Sequence, residues 1–155
     1  MNIFQAKPTV FLSIALLAAC ASSSRLQPFS TDGCSLFPDR ALIGKSDWCE
    51  CCVAHDLVYW RGGTSEERLK ADRDLKACVY KVSGNEPLAE LMFAGVRSGG
   101  GHYFYTPYRW GYGWQYGRSY GPLSIDEQAL AASLEREYLA KGHPLSCPSK
   151  PKSVE

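Results

Sequence analysis

The residues best suited to chemistry in this sequence are His55 and Asp56, which follow a cluster of cysteines in the segment WCECCVAHDLVYWRGG. Such a cluster could be a metal site, a set of disulfides or the edge of an active site. A further candidate acid, Asp72, lies in the next predicted helix. A histidine held by a carboxylate can accept a proton from water through its other ring nitrogen. The pattern therefore indicates general-base chemistry.

Two helices joined by a short turn must position these side chains. The first is predicted over residues 46–60, with Glu50 three residues after Asp47 helping to cap it. The second opens at the capping box Thr64-Ser65-Glu66-Glu67 and extends to about residue 82. Because only a short glycine turn separates them, we expect the two helices to lie antiparallel.

Helical periodicity places His55 and Asp72 on inward faces of these helices. At about 100° per residue, apolar side chains lie within about 60° of each, whereas Asp74 points about 160° away from Asp72. A buried carboxylate needs a partner, and His55 on the facing helix is the available one. Asp56, turned about 100° from His55, can face the preceding loop, whose hard oxygen ligands suit calcium better than zinc.

The first 19 residues predict an export signal with an apolar run too short to span a membrane. The sequence Leu17-Ala18-Ala19-Cys20 resembles the lipobox of bacterial lipoproteins, in which the cysteine is lipidated. This resemblance implies a signal peptide at 1–19, a lipidated tether at 20–29 and a domain at 30–155. Ala21 after the cysteine implies sorting to the bacterial outer membrane, on the periplasmic side or the surface side.

Without the signal, 136 residues remain, which is enough for one domain. Its 16 basic and 16 acidic residues balance, so net charge gives no reason to expect a nucleic-acid partner. Six cysteines remain besides Cys20, and an even number in an exported chain indicates three disulfides. The residues alone do not choose among the possible pairings.

Beyond the second helix, residues 88–96 predict a short buried helix and residues 124–140 predict a final one. Between them, residues 98–121 are rich in glycine and aromatic side chains and show no regular period. This segment could line an acyl-chain groove, lie at a membrane interface or pack on itself. The predicted fold is mainly α, with a disulfide-linked helical hairpin, an irregular aromatic segment and a C-terminal helix.

At the histidine the sequence resembles the secreted phospholipase A₂ superfamily. The helix of that family carries C-C-x-x-H-D and then a tyrosine four residues after the histidine. Here the motif reads Cys51-Cys52-Val53-Ala54-His55-Asp56, followed by Tyr59. The second helix of the family carries an aspartate six residues before a cysteine, as Asp72 and Cys78 do here. The similarity covers residues 30–80, about a third of the chain.

The resemblance implies a phospholipase A₂-like hairpin and calcium-dependent hydrolysis of the sn-2 ester of membrane phospholipids. It implies His55 as general base, Asp72 as the group that orients it, and Tyr59 as a hydrogen-bond donor to Asp72. Asp56 would bind calcium together with the preceding loop, where the candidates are Asp32, Gly33 and Ser35. The disulfides implied are Cys51–Cys78, Cys34–Cys52 and Cys49–Cys147.

Two alternatives come from other functional classes. The chain could be a non-catalytic envelope lipoprotein that uses the same scaffold for binding or structure, with His55 and Asp72 merely satisfying each other. It could also bind zinc, because Cys51 or Cys52 with His55 has a chelating spacing on a helix.

Overall fold

The computed structural model of this chain describes residues 25–143 and residue 147. The predicted signal peptide and the predicted lipidation site, Cys20, lie outside the described residues. Within the described part, no helix combines the length and the apolar character that crossing a membrane requires.

The described residues form four α-helices and no β-strand, so the prediction of a mainly helical fold is confirmed. The helices are α1 (Cys49–Arg61), α2 (Ser65–Ser83), α3 (Glu86–Gly99) and α4 (Ile125–Ala140). The capping boxes predicted for α2 and α4 are both present, at Thr64 and Ser124. In each box the N-cap side chain and the glutamate three residues later exchange hydrogen bonds, which fixes where the helix begins.

α1 begins later than predicted, and its predicted cap is wrong. Trp48 is the N-cap and no side chain caps the helix end. The Asp47 carboxylate instead accepts the Cys49 N–H at 3.1 Å. The preceding loop causes this shift, because Trp48 donates its backbone N–H to the Asp39 carbonyl and Arg40 forms a β-bridge with Asp47. These contacts keep residues 46–48 out of the helix.

α1 and α2 are antiparallel, as three contacts along their length show. A disulfide joins Cys51 to Cys78, and further along α1 the His55 ring contacts Asp72. Near the turn, the Tyr59 hydroxyl contacts Arg68. Gly62 in the turn has a φ of 70°, and a Cβ there would lie 3.0 Å from the Cα of Gly111. The turn therefore needs glycine both for its conformation and for the close approach of the aromatic segment.

Three disulfides link α1 to other parts of the chain. They are Cys34–Cys52, Cys49–Cys147 and Cys51–Cys78, the pairs that the resemblance implies. One leads to the preceding loop, one to the C-terminal segment and one to α2. They hold α1 in place between these segments.

α3 differs from the predicted short buried helix. It extends over 14 residues, because Asn85 caps its first turn and Pro87 fits the start of a helix. Only Ala89 and Met92 are buried, whereas the Leu91 side chain is 61% exposed. One face of α3 therefore packs on the core and the opposite face remains open.

The glycine-rich aromatic segment is a series of turns that packs against the α1–α2 connection. Trp110 and Trp114 are buried and donate their indole N–H groups to the carbonyls of Gly63 and Arg61, at 2.9 and 2.7 Å. Gly111 donates its backbone N–H to the Tyr59 carbonyl at 2.7 Å. The segment thus covers the end of α1 that follows the histidine.

Part of the segment predicted to be a tether contacts the helical core. Leu26 and Phe29 are buried against Trp60 and Trp114. The Trp60 indole N–H donates to the Gln27 carbonyl at 2.8 Å. Residues 26–29 of the predicted tether therefore pack on the helical core.

Candidate active site

The buried pair predicted from helical periodicity is present. His55 Nε2 lies 2.9 Å from Asp72 Oδ1, and the Tyr59 hydroxyl donates to the same oxygen at 2.7 Å. The Asp72 side chain is completely buried and that of His55 is 6% exposed. An ionised carboxylate only accepts hydrogen bonds, so the shared proton lies on Nε2. In the neutral ring, Nδ1 is then an acceptor, and no described residue hydrogen-bonds to it.

The second oxygen of Asp72 contacts two arginines that the sequence analysis did not identify. Arg97 donates to Asp72 Oδ2 at 2.6 Å, and Arg68 Nε lies 3.9 Å from the same atom. Burial alone would raise the pKa of Asp72, but the hydrogen bonds from His55, Arg97 and Tyr59 outweigh it and lower that pKa. Asp72 is therefore a stable carboxylate.

His55 lies in the wall of an apolar cavity of about 320 Å³. Leu36, Leu91 and Val96 line it together with further side chains of α1, α2 and α3. Leu36 is 87% exposed, so the cavity is bordered by apolar side chains that face solvent. A long hydrocarbon chain could enter this cavity and bring an ester next to the histidine.

Asp56 faces a different direction from His55, toward the loop before α1. The Thr31 hydroxyl donates to Asp56 Oδ2 at 2.6 Å, and no described residue donates to Oδ1. Burial and the nearby charge of Asp32 raise the pKa of Asp56 to about 7, although the bond from Thr31 opposes the shift. A buried carboxylate without a basic partner is the kind of group that a cation would stabilise.

The predicted calcium ligands are only partly brought together. Asp32, Ser35 and Asp56 line a second cavity of about 230 Å³, and Ser30 and Tyr112 contribute to its wall. Gly33 does not line this cavity; it borders the larger apolar cavity, which Ser35 and Asp56 also border, and its backbone N–H donates to the Thr31 hydroxyl at 3.1 Å. The Ser35 hydroxyl donates to Asp32 at 2.8 Å. The carboxylates of Asp56 and Asp32 both border this second cavity, and carboxylate oxygens are the ligand type that calcium prefers.

The cysteine ligands needed for a zinc site are engaged in disulfides. Cys51 and Cys52 are both bonded to other cysteines, so neither offers His55 a thiolate. In the described part of the chain, the one cluster of three potential ligands is Asp47, Cys49 and Cys147. Its two sulfurs are bonded to each other, which leaves them poor ligands for zinc.

Asp56 gives a testable pH dependence in the presence of a chelator. A raised pKa means that the folded state binds the proton more tightly than the unfolded state does. The contribution of protonated Asp56 to the stability of the fold is therefore complete below pH 4 and is lost as the pH rises through 7. We therefore expect the free energy of unfolding of Asp56→Asn at pH 8, measured with denaturant, to exceed that of wild type by on the order of 2–4 kcal/mol. The difference should shrink toward pH 4. Equal stability of the two proteins at pH 8 would contradict the burial of an unpaired charge.

A matched control for this experiment is Asp74→Asn. Asp74 is exposed on α2 and pairs only with Lys70 among the described residues. We expect this variant to stay within about 0.5 kcal/mol of wild type at both pH values.

No protein-family model matches this chain, and neither a curated protein nor a solved structure matches it. Its function therefore has to be inferred from the residues of the site and their geometry.

Proposed function

We propose that this protein is a calcium-dependent hydrolase that cleaves the sn-2 ester of glycerophospholipids. The observation that carries the proposal is the placement of His55, which borders an apolar cavity, with Nε2 held by Asp72 and no described residue hydrogen-bonded to Nδ1. A ring nitrogen that can accept a proton, on a residue that borders an apolar cavity, suits the hydrolysis of a lipid ester by water.

His55 and Asp72 would supply the proton transfers. Nδ1 of His55 takes a proton from water as the water oxygen forms a bond to the carbonyl carbon of the ester. The ring becomes an imidazolium, whose positive charge the Asp72 carboxylate stabilises at 2.9 Å. Nδ1 then returns the proton to the glycerol oxygen as the bond between that oxygen and the carbonyl carbon breaks. The products are a fatty acid and a lysophospholipid.

Asp56 and Asp32 are the residues that would hold calcium in this chain. When bound, the ion would supply positive charge that polarises the ester carbonyl and stabilises the oxyanion. The Thr31 hydroxyl orients the Asp56 carboxylate, and the adjacent apolar cavity excludes water from the acyl chain. Export and lipid attachment through Cys20 to the bacterial outer membrane complete the proposal, because they would keep the enzyme beside a phospholipid surface.

The test is fatty-acid release from vesicles of a phosphatidylcholine that carries palmitate at sn-1 and oleate at sn-2. We expect oleate release with calcium and a fall of at least about 100-fold with chelator, the scale at which losing one oxyanion-stabilising group slows a reaction. Release of palmitate would contradict the positional assignment, and equal release with chelator would contradict the role of calcium. No release of fatty acid under any metal condition would contradict the proposed enzymatic activity and support a non-catalytic envelope lipoprotein.

A further inference from the structure

The Asp72 carboxylate is held from both of its oxygens. Oδ1 accepts hydrogen bonds from His55 and Tyr59, and Oδ2 accepts one from Arg97 at 2.6 Å. A carboxylate bonded through one oxygen alone can still rotate about its Cβ–Cγ bond. Because donors on α1 hold one oxygen and a donor on α3 holds the other, the plane of the carboxylate is fixed, and the direction of the His55 ring is fixed with it.

Arg68 supports this arrangement without bonding directly to the histidine. Arg68 is 4% exposed, and its Nε donates to the Tyr59 hydroxyl oxygen at 3.0 Å. A guanidinium can only donate, so the Tyr59 oxygen accepts from Arg68 and its own proton goes to Asp72. Arg68 also donates to the Tyr120 hydroxyl at 2.8 Å.

The remaining bonds of Arg68 fix the end of α3. Its Nη2 donates to the carbonyls of Val96 and Arg97, at 2.8 and 2.9 Å. Both carbonyls belong to the last turn of α3, where a cation is stabilising, and the Val96 carbonyl also accepts the Gly100 N–H at 3.0 Å. Arg68 therefore anchors the backbone of Arg97, whose side chain then reaches Asp72.

We propose that Arg97 is a positioning residue for the His55–Asp72 pair, held in place by Arg68. The proposal rests on the proposed function, since it assigns Arg97 to that reaction. Arg97 holds Asp72 Oδ2 so that Oδ1 stays on His55 Nε2 and Nδ1 stays directed at the substrate. A displacement of the base by about 1 Å is enough to cost on the order of 100-fold in rate.

The first experiment compares kcat and KM of Arg97→Met and Arg97→Lys on a short-chain phosphatidylcholine below its critical micelle concentration. We expect Arg97→Met to lower kcat by about 10- to 100-fold with KM within about 2-fold of wild type. Arg97→Lys should recover part of the loss, because it keeps a cationic donor toward Asp72. The matched control is Arg73→Met, the same substitution at an exposed position of α2, which should leave both constants unchanged.

Two kinetic results would overturn the proposal. One is a kcat of folded Arg97→Met within 2-fold of wild type. The other is a rise in KM with kcat unchanged, which would make Arg97 a substrate-binding residue instead. Thermal unfolding of each variant gives its folded fraction, and if Arg97→Met does not fold, the comparison of Arg97→Lys with wild type decides.

A second readout does not depend on enzyme activity. The proton on His55 Nε2, bonded to a buried carboxylate, should give a downfield N–H resonance that is absent in His55→Gln. We expect this resonance to be lost in Arg97→Met, in which the carboxylate can rotate, and kept in Arg73→Met. A resonance that persists in Arg97→Met would overturn the positioning role. An inactive wild type with the expected loss of resonance would contradict the proposed hydrolysis alone.

Discussion

Replacing His55 by glutamine is expected to lower kcat for phospholipid hydrolysis by about 10³- to 10⁴-fold. Glutamine has a similar size and can still donate an amide hydrogen to Asp72, so the buried carboxylate keeps a partner. It offers no basic nitrogen to take a proton from water, and a positioned general base contributes up to about 10⁴-fold. The measurement is the initial rate of fatty-acid release at saturating calcium, with circular dichroism to establish folding.

The matched control is the same substitution at His102. That histidine packs edge-on against Tyr103 and Tyr120 and does not line the apolar cavity. We expect His102→Gln to keep kcat within about 2-fold of wild type, because His102 is only half-buried and its ring contacts Tyr103 and Tyr120 rather than His55 or Asp72. A folded His55→Gln protein with the rate of the control would mean that another group is the base.

Replacing Asp72 by asparagine is expected to damage both stability and activity. It removes the charge that compensates Arg97, whose side chain is 34% exposed, so we expect a cost of about 1–3 kcal/mol, less than for a fully buried pair. The asparagine NH₂ can also donate to Nε2 of His55, which would place the ring proton on Nδ1. A base with its proton on the wrong nitrogen loses on the order of 10⁴-fold in kcat. Denaturant unfolding and initial rates measure the two effects separately.

Two further variants show where the loss of stability comes from. Asp74→Asn changes an exposed aspartate on the same helix and should cost less than about 0.5 kcal/mol. Adding Arg97→Met to Asp72→Asn should restore part of the lost stability, because it removes the guanidinium left unpaired. An Asp72→Asn protein with wild-type stability and unchanged biological activity would support a non-catalytic lipoprotein.

The contact between His55 and Asp72 was predictable because it depends on local rules. Thr64 fixes the start of α2 through its capping box, and the glycine turn forces α2 back along α1. Helical periodicity then identifies Asp72, and excludes Asp74, as the acid that faces inward. Helical periodicity could also have identified Arg68 as a neighbour of Asp72, because it lies four residues before Asp72 on the same face of α2.

Other parts of the site depend on contacts between segments far apart in the chain. Arg97 reaches Asp72 only because of the way α3 packs on α2, and no spacing in the sequence expresses that packing. The open face of α3 has the same origin, since the apolar pattern of residues 88–96 does not show which side chains, such as Leu91, remain exposed. The partial assembly of Asp32, Gly33 and Ser35 depends on the path of an irregular loop, which periodicity cannot predict.

The disulfides on α1 make the geometry of the site conditional on the redox state of its surroundings. Cys51 and Cys52 are neighbours in sequence, yet one fastens α1 to α2 and the other fastens it to the loop that faces Asp56. In a reducing compartment neither link would persist, and the helix that carries His55 would be bound to its neighbours by packing alone. The chain would then contain every residue of the hydrolytic site without the frame that aligns them. Under the proposed export and hydrolysis, oxidation outside the cytosol would complete the site, and a cell making this protein would be shielded from lipid hydrolysis in its own cytosol.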